Sequence, residues 1–214
     1  VSHMGFVTLG LFVLNQQGIE GAVLQMVNHG ITTGALFLCV GIIYERTHSR
    51  LIADNVGLAA PMPQYAVLLV IFALSSLGLP GTNSFVGEFL VLVGTFLWSK
   101  VATAFASLGI ILAAAYLLWM IQRVVFGVPS PHHLPKLRDL NKRELATLVP
   151  LALLVFWIGL YPNPLVSRMH ESVTHTIASM SRAKVPPTAH PSAGGTAPLL
   201  ADSGEQLKAQ GTSR

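Results

Sequence analysis

Charge is scarce in this sequence. Of its 214 residues, 10% are charged and 52% are hydrophobic, whereas ordinary soluble domains carry about 25% charged residues. With a mean hydropathy of +0.60, a soluble globular domain is excluded, and an all-α, polytopic membrane helix bundle is expected. Cysteine is nearly absent too. Cys39 is the single thiol, so no internal disulfide can form and no iron–sulfur cluster can be held within the chain. Cys39 sits in an apolar run and reads as a small buried hydrophobe. There is no phosphate-binding glycine loop, no Walker motif and no zinc-ligand spacing. Ser130-Pro131-His132-His133 offers two adjacent histidines without further ligands, a weak metal signal. The net charge of +4 and pI near 9.5 do not point to nucleic acid, because the basic residues sit in loops and tail without interleaved aromatics. A cleavable leader is not visible, since the opening lacks a charged region and an Ala-x-Ala-like site. The chain starts Val1-Ser2-His3-Met4 and its first apolar run ends at Leu14. That run is too short to span about 30 Å of hydrocarbon, which suggests a chain cut within a membrane helix and truncated at the N-terminus.

What the sequence does contain is long uncharged runs. Run length and breaks predict segments over about 1–14, 21–44, 64–98, 101–121 and 145–161. The third is too long for one helix and should break near Leu79-Pro80-Gly81, where proline removes a backbone donor and glycine adds freedom. The transmembrane portion is placed at 1–168 and a polar, largely disordered tail at 169–214, rich in Pro, Gly, Ser, Thr and Ala beyond about Ala183. Counting crossings puts the 45–60 and 122–144 loops on one side, with Arg46, Arg50, Arg123, Lys136, Arg138, Lys142 and Arg143. Only Lys100 lies in the short connection opposite. The excess of basic residues places the first side in the cytoplasm and the tail on the other face, periplasmic in a bacterium. Glu45, Arg46, Lys100 and Arg123 read as loop residues or interfacial anchors, and Trp98, Trp119 and Trp157 as belt or packing residues.

Glu88 is the only formal charge between Gln64 and Ser99. A carboxylate at membrane depth costs about 2.5–3.5 kcal/mol on insertion scales, so such a residue usually faces protein or water. Broken helices are tolerated at that depth only inside protein or beside a wet cavity. A lone acid beside a helix break therefore reads as part of an ion path. Gln25, Asn28, His29 and Thr32 recur at helical spacing and share one face. His29 has the side chain whose ordinary pKa suits proton exchange near neutrality, and His3 occupies a comparable place in the first run. Three residues on three helices could form a proton relay through trapped water. The plainer alternative stays open: a lone histidine or glutamate in a polytopic protein is often an interhelical hydrogen-bonder.

Several motifs resemble the antiporter-like proton-translocating subunits of respiratory complex I: Ser2-His3-Met4-Gly5-Phe6, Asn28-His29-Gly30, Tyr44-Glu45-Arg46-Thr47-His48-Ser49-Arg50, and Leu77 through Phe89. The likeness runs from residue 1 to about 168. A glutamate at position 88 resembles the subunit M branch, the counterpart of mitochondrial chain 4, where sister branches usually carry lysine. The Asp139-Leu140-Asn141-Lys142-Arg143-Glu144 loop is similar to that branch as well. The resemblance implies an antiporter-like fold of fourteen helices in two inverted repeats, of which this chain would supply most of helix 10 and helices 11 to 14. It implies that His3 and His29 belong to a central hydrophilic axis and Glu88 to the outward proton exit. The family's glutamate on helix 5 and lysines on helices 7 and 8 have no counterpart here. On this reading the chain belongs to a translocase that couples NADH:quinone oxidoreduction to proton pumping, in a bacterial inner membrane. Its partners would be other membrane-arm subunits, the lipid bilayer, protons and internal water, with no nucleic acid. It would hold no cofactor or redox site of its own; flavin, iron–sulfur clusters and quinone are expected on partner subunits. The alternatives are a subunit of a cation/proton antiporter or membrane-bound hydrogenase, and a purely structural assembly segment.

Overall fold

The computed structural model describes residues 2–128 and 137–184. His132, His133 and Lys136 lie outside the described residues, as does the chain from residue 185. Seven α-helices follow in order: α1 Ser2–Phe12, α2 Gln16–Thr47, α3 Pro63–Ser76, α4 Asn83–Trp98, α5 Lys100–Val124, α6 Lys142–Leu160 and α7 Asn163–Lys184, with a 3-10 turn at Ile52–Asp54. The compact unit runs from Val1 to Ser179; of the second, from Met180 on, only the last turn of α7 is described.

Among the described residues, three helices are long and apolar enough to cross a membrane: α2, α5 and α6. The run expected over 21–44 extends to Gln16–Thr47, about 48 Å at 1.5 Å per residue. The 64–98 run is two helices. α3 has 14 residues and α4 has 16, about 21 and 24 Å each, so neither spans about 30 Å alone. α7 is a feature that the hydropathy pattern does not announce. It occupies 163–184, including residues 169–184 of the stretch expected to be the polar tail. Its apolar side chains fall on one face of an otherwise polar helix, which run length cannot detect. α5 shows the membrane character most plainly. It buries Ala113, Leu117 and Ile121 and leaves Phe105, Leu108, Ile111 and Leu112 exposed, a distribution that suits lipid rather than water.

The central helix is α2, which packs against α1, α3, α4 and α6. Its crossing with α4 is close because of glycine: a Cβ on Gly21 would fall 2.7 Å from the Val91 nitrogen, a backbone approach typical of small-residue membrane interfaces. At the end of α2 near Thr47 the core is apolar, with Cys39, Ile43, Leu58, Met62, Tyr65, Phe72, Leu148 and Val155 buried together. Charges lock the same end. Arg46 Nη2 donates to Glu144 Oε2 at 2.7 Å and to the Asp139 carbonyl at 3.2 Å. Glu144 also accepts from the Asn141 backbone at 2.8 Å, closing a capping box on α6. Asp139 in turn accepts from the backbone nitrogens of Gln64 and Tyr65 at 3.0 and 3.2 Å, capping α3 from a distant loop. Arg46 is thus a pin between two helices and a loop rather than a simple anchor. These bonds also put the 48–62 connection, Val125 and residues 139–141 at one end of the bundle. Leu58 and Ala59 confirm it by donating to the carbonyls of Val124 and Val125.

At the opposite end α7 is tied to α2. His170 Nδ1 lies 2.7 Å from Glu20 Oε1, Gln16 also bonds Glu20, and Thr174 Oγ1 donates to Gln16 at 3.4 Å. Glu20 is buried at 5% exposure. It is a second buried carboxylate, and one with a partner.

Candidate functional site

The break between α3 and α4 builds the site. It opens at Leu77, two residues before the expected Leu79-Pro80-Gly81, because Gly78 ends α3. Gly78 has φ +77°; its N–H bonds the Ser75 carbonyl, and the Leu79 N–H bonds the Leu74 carbonyl at 3.1 Å. This pair of bonds is the Schellman closure, which needs a left-handed residue and therefore favours glycine. Pro80 follows, where a continuing helix would demand the donor it lacks. Gly81, with φ +95°, turns the chain again, and Thr82 Oγ1 donates back to the Leu79 carbonyl at 2.7 Å.

The buried ends of the two half-helices are satisfied by α2. Asn28 Nδ2 donates to the Asn83 carbonyl at 2.7 Å. Asn83 Oδ1 accepts from Ser75 at 2.6 Å and from Thr32 at 3.3 Å. Asn28, Thr32, Ser75 and Asn83 are each 0–1% exposed. Two of these four, Ser75 and Asn83, lie in the broken segment, and only contact with the α2 stripe reveals their role.

Glu88 sits one turn into α4 and is 5% exposed. Three elements converge on its carboxylate. Gln25 Nε2 of α2 donates to Oε1 at 3.3 Å. His3 Nδ1 of α1 lies 3.5 Å from the same oxygen, at the outer limit of a hydrogen bond. Gly78 backs Oε2 so closely that a Cβ there would fall 2.6 Å away. His29 does not touch Glu88. Its ring centroid lies 6.0 Å from that of His3, and its Nδ1 lies 3.2 Å from Thr33 on its own helix. The four-residue polar stripe of α2 is therefore split: Gln25, Asn28 and Thr32 are buried against the break, while His29 turns toward α1. Tyr116 of α5, which neither spacing nor hydropathy singles out, places its hydroxyl 3.4 Å from His3 Nε2. Gln25 Oε1 and Asn28 Oδ1 are buried without a donor.

A bundle in which a discontinuous helix packs against the central α2, with a buried carboxylate and two histidines collected beside the break, defines a polytopic membrane protein of the antiporter-like class. The chain belongs to the NADH:quinone oxidoreductase/Mrp antiporter transmembrane family, which matches residues 1–123. It is 45% identical over 181 residues to NADH-ubiquinone oxidoreductase chain 4 of Chondrus crispus, covering 85% of this chain and 37% of that protein. It is 46% identical over 177 residues to NADH-quinone oxidoreductase subunit M of Rhodobacter capsulatus, covering 83% of this chain and 35% of that protein. The chain thus spans little more than a third of the length of these relatives. Among solved structures it is similar to a chain of respiratory complex I from Thermus thermophilus, with a TM-score of 0.76 and 32% identity over 83% of this chain and 37% of that one. A chain of the Mrp complex from Dietzia sp. shares the fold at TM-score 0.74 and 19% identity, over 84% of this chain and 42% of that one.

Proposed function

We propose that this chain is part of a membrane-arm subunit of a proton-translocating NADH:quinone oxidoreductase, and that it carries the outward segment of the proton path. The reading rests on one observation above all: the Glu88 carboxylate, buried at a helix break, within 3.5 Å of His3 Nδ1. A buried carboxylate without a full counter-charge is costly, and it can accept or release a proton as its surroundings change. His29 would hand a proton to His3 across the gap between their rings, His3 to Glu88, and Glu88 outward. The buried acceptors of Gln25 and Asn28 suit bridging water, which needs polar partners to be held. Moving one charge against 100 mV costs about 2.3 kcal/mol, so the driving energy comes from quinone reduction on partner subunits, where flavin and iron–sulfur clusters would also lie. The basic end, marked by Arg46, Arg50, Arg123, Arg138 and Arg143, faces the cytoplasm on this reading, and the end near Glu20 and α7 faces the periplasm of a bacterial inner membrane.

The relatives named chain 4 and subunit M favour this function over a cation/proton antiporter, since the Mrp likeness carries the fold alone. The test is Glu88→Gln in the intact complex, reconstituted in vesicles and read as protons pumped per NADH oxidised. Loss of pumping in a complex of normal subunit composition supports the relay. A complex that no longer assembles, or one that pumps at the unsubstituted ratio, rejects it.

A further inference from the structure

We infer that Tyr116 is a positioning residue for the proton path, holding the ring of His3 and matching its tautomer to the charge on Glu88. The inference rests on the relay reading of His3 and Glu88 and extends it to α5. Neutral imidazole carries one donor and one acceptor, and here each ring nitrogen of His3 has its own partner. Nδ1 lies 3.5 Å from Glu88 Oε1 and Nε2 lies 3.4 Å from the Tyr116 hydroxyl. An ionised Glu88 only accepts, so it selects the Nδ1–H tautomer and leaves Nε2 as a bare acceptor; the phenol O–H then donates to it. A protonated Glu88 can donate to Nδ1, which selects the Nε2–H tautomer; the phenol oxygen then accepts. A hydroxyl serves both states by rotating its hydrogen, which a lysine or a tryptophan could not do.

The surrounding titratable groups fit this division. Glu88 faces His3 from α4 and His29 faces it from α2, with ring centroids 6.0 Å apart; Tyr116 supplies the contact from α5. Its hydroxyl can both donate and accept a hydrogen bond, so it can orient the ring in either state. Tyr116 is 50% exposed, and its hydroxyl links α5 to His3 of α1. Removing its oxygen therefore leaves the helix packing in place.

The experiment uses the intact complex in vesicles, with Tyr116→Phe, Tyr116→Leu and Glu88→Gln compared for protons pumped per NADH across a range of pH. A positioning role predicts that Tyr116→Phe lowers the ratio, with the rate of proton pumping down about tenfold, the equivalent of one lost hydrogen bond. It also predicts a displaced pH profile, with Tyr116→Leu no worse than Tyr116→Phe. If Tyr116→Phe keeps the unsubstituted ratio and profile while Glu88→Gln abolishes pumping, the Tyr116 inference falls and the relay stands. If Tyr116→Leu alone is impaired, Tyr116 is a packing residue and the inference falls too. If Glu88→Gln pumps normally, both readings fall together.

Discussion

Gly78→Ala tests whether the helix break exists to cradle the carboxylate. The substitution meets two obstacles. Gly78 has φ +77°, and a side chain in that left-handed region costs about 1–2 kcal/mol. The new Cβ would also fall 2.6 Å from Glu88 Oε2 and 3.5 Å from its carboxyl carbon. To regain the 3.4 Å of ordinary contact the carboxylate must retreat by about 0.8 Å. Its contact with His3 is already at the limit of a hydrogen bond, and a misplacement of about 1 Å in a reacting group can cost about a hundredfold. Gly81→Ala is the control. Gly81 has φ +95°, yet nothing lies within 4 Å of where its Cβ would be. It pays the backbone cost alone. In vesicles containing the intact complex, both variants should lower the thermal midpoint by a similar amount. On the proposed relay, Gly78→Ala should in addition lower the rate of proton pumping on the order of ten- to a hundredfold beyond Gly81→Ala. Equal losses in the two variants would mean that the break matters as backbone geometry and not as the wall behind Glu88.

Two further outcomes test the ends of the bundle. Arg46→Met should destabilise the assembled chain by on the order of 3 kcal/mol, because Glu144 is left as a nearly buried carboxylate without its cation; side-chain exposures of 14% and 11% place the pair mostly inside the protein. Glu45→Gln, on the neighbouring exposed position, should stay within about 0.5 kcal/mol, and equal shifts in denaturation midpoint for the two would refute the pinning role. At the other end, His170→Ala should free α7 from Glu20. The His170 side chain is 61% exposed, so the contact is worth about 1 kcal/mol after screening. Hydrogen exchange of the α7 amides should then rise roughly fivefold, and unchanged exchange would show that α7 is held by something else.

The crossing helices were legible in the sequence because lipid leaves no alternative: a backbone at membrane depth must satisfy itself, so uncharged runs become helices. Their edges were less so. α2 continues beyond the uncharged run at both ends, to Gln16 and Thr47, since polar residues at the interface are as good helix formers as those within. The opening of the break at Leu77 is set by where glycine can close the Schellman bonds, and proline only prevents resumption. α7 escaped because its signal is amphipathic periodicity in a polar stretch, which resembles a soluble tail until something binds one face. Here that something is Glu20 and Gln16. Tyr116 escaped for a different reason. A tyrosine in an apolar helix is ordinarily packing, and only the fold shows that its hydroxyl ends beside His3.

The polar stripe of α2 shows how one periodic signal can hold two jobs. Asn28 and Thr32 spend their hydrogen bonds on Asn83 and Ser75, which also bond each other across the break. A lost buried hydrogen-bond partner costs about 1–3 kcal/mol, so these bonds help to dock the two half-helices on α2. Gln25 and His29, one helical turn apart on the same helix, are spent differently. Gln25 donates to Glu88, and His29 stands beside His3. The division gives the two groups separate signatures. Loss of Asn28 or Thr32 acts on whether the two half-helices dock, and so on yield and thermal midpoint. On the proposed relay, loss of Gln25 or His29 should act on the surroundings of an ionisable pair, and so on the ratio of protons to electrons in a complex that still assembles. The spacing that placed all four on one face could not make this distinction, because it depends on which side of the break each side chain meets.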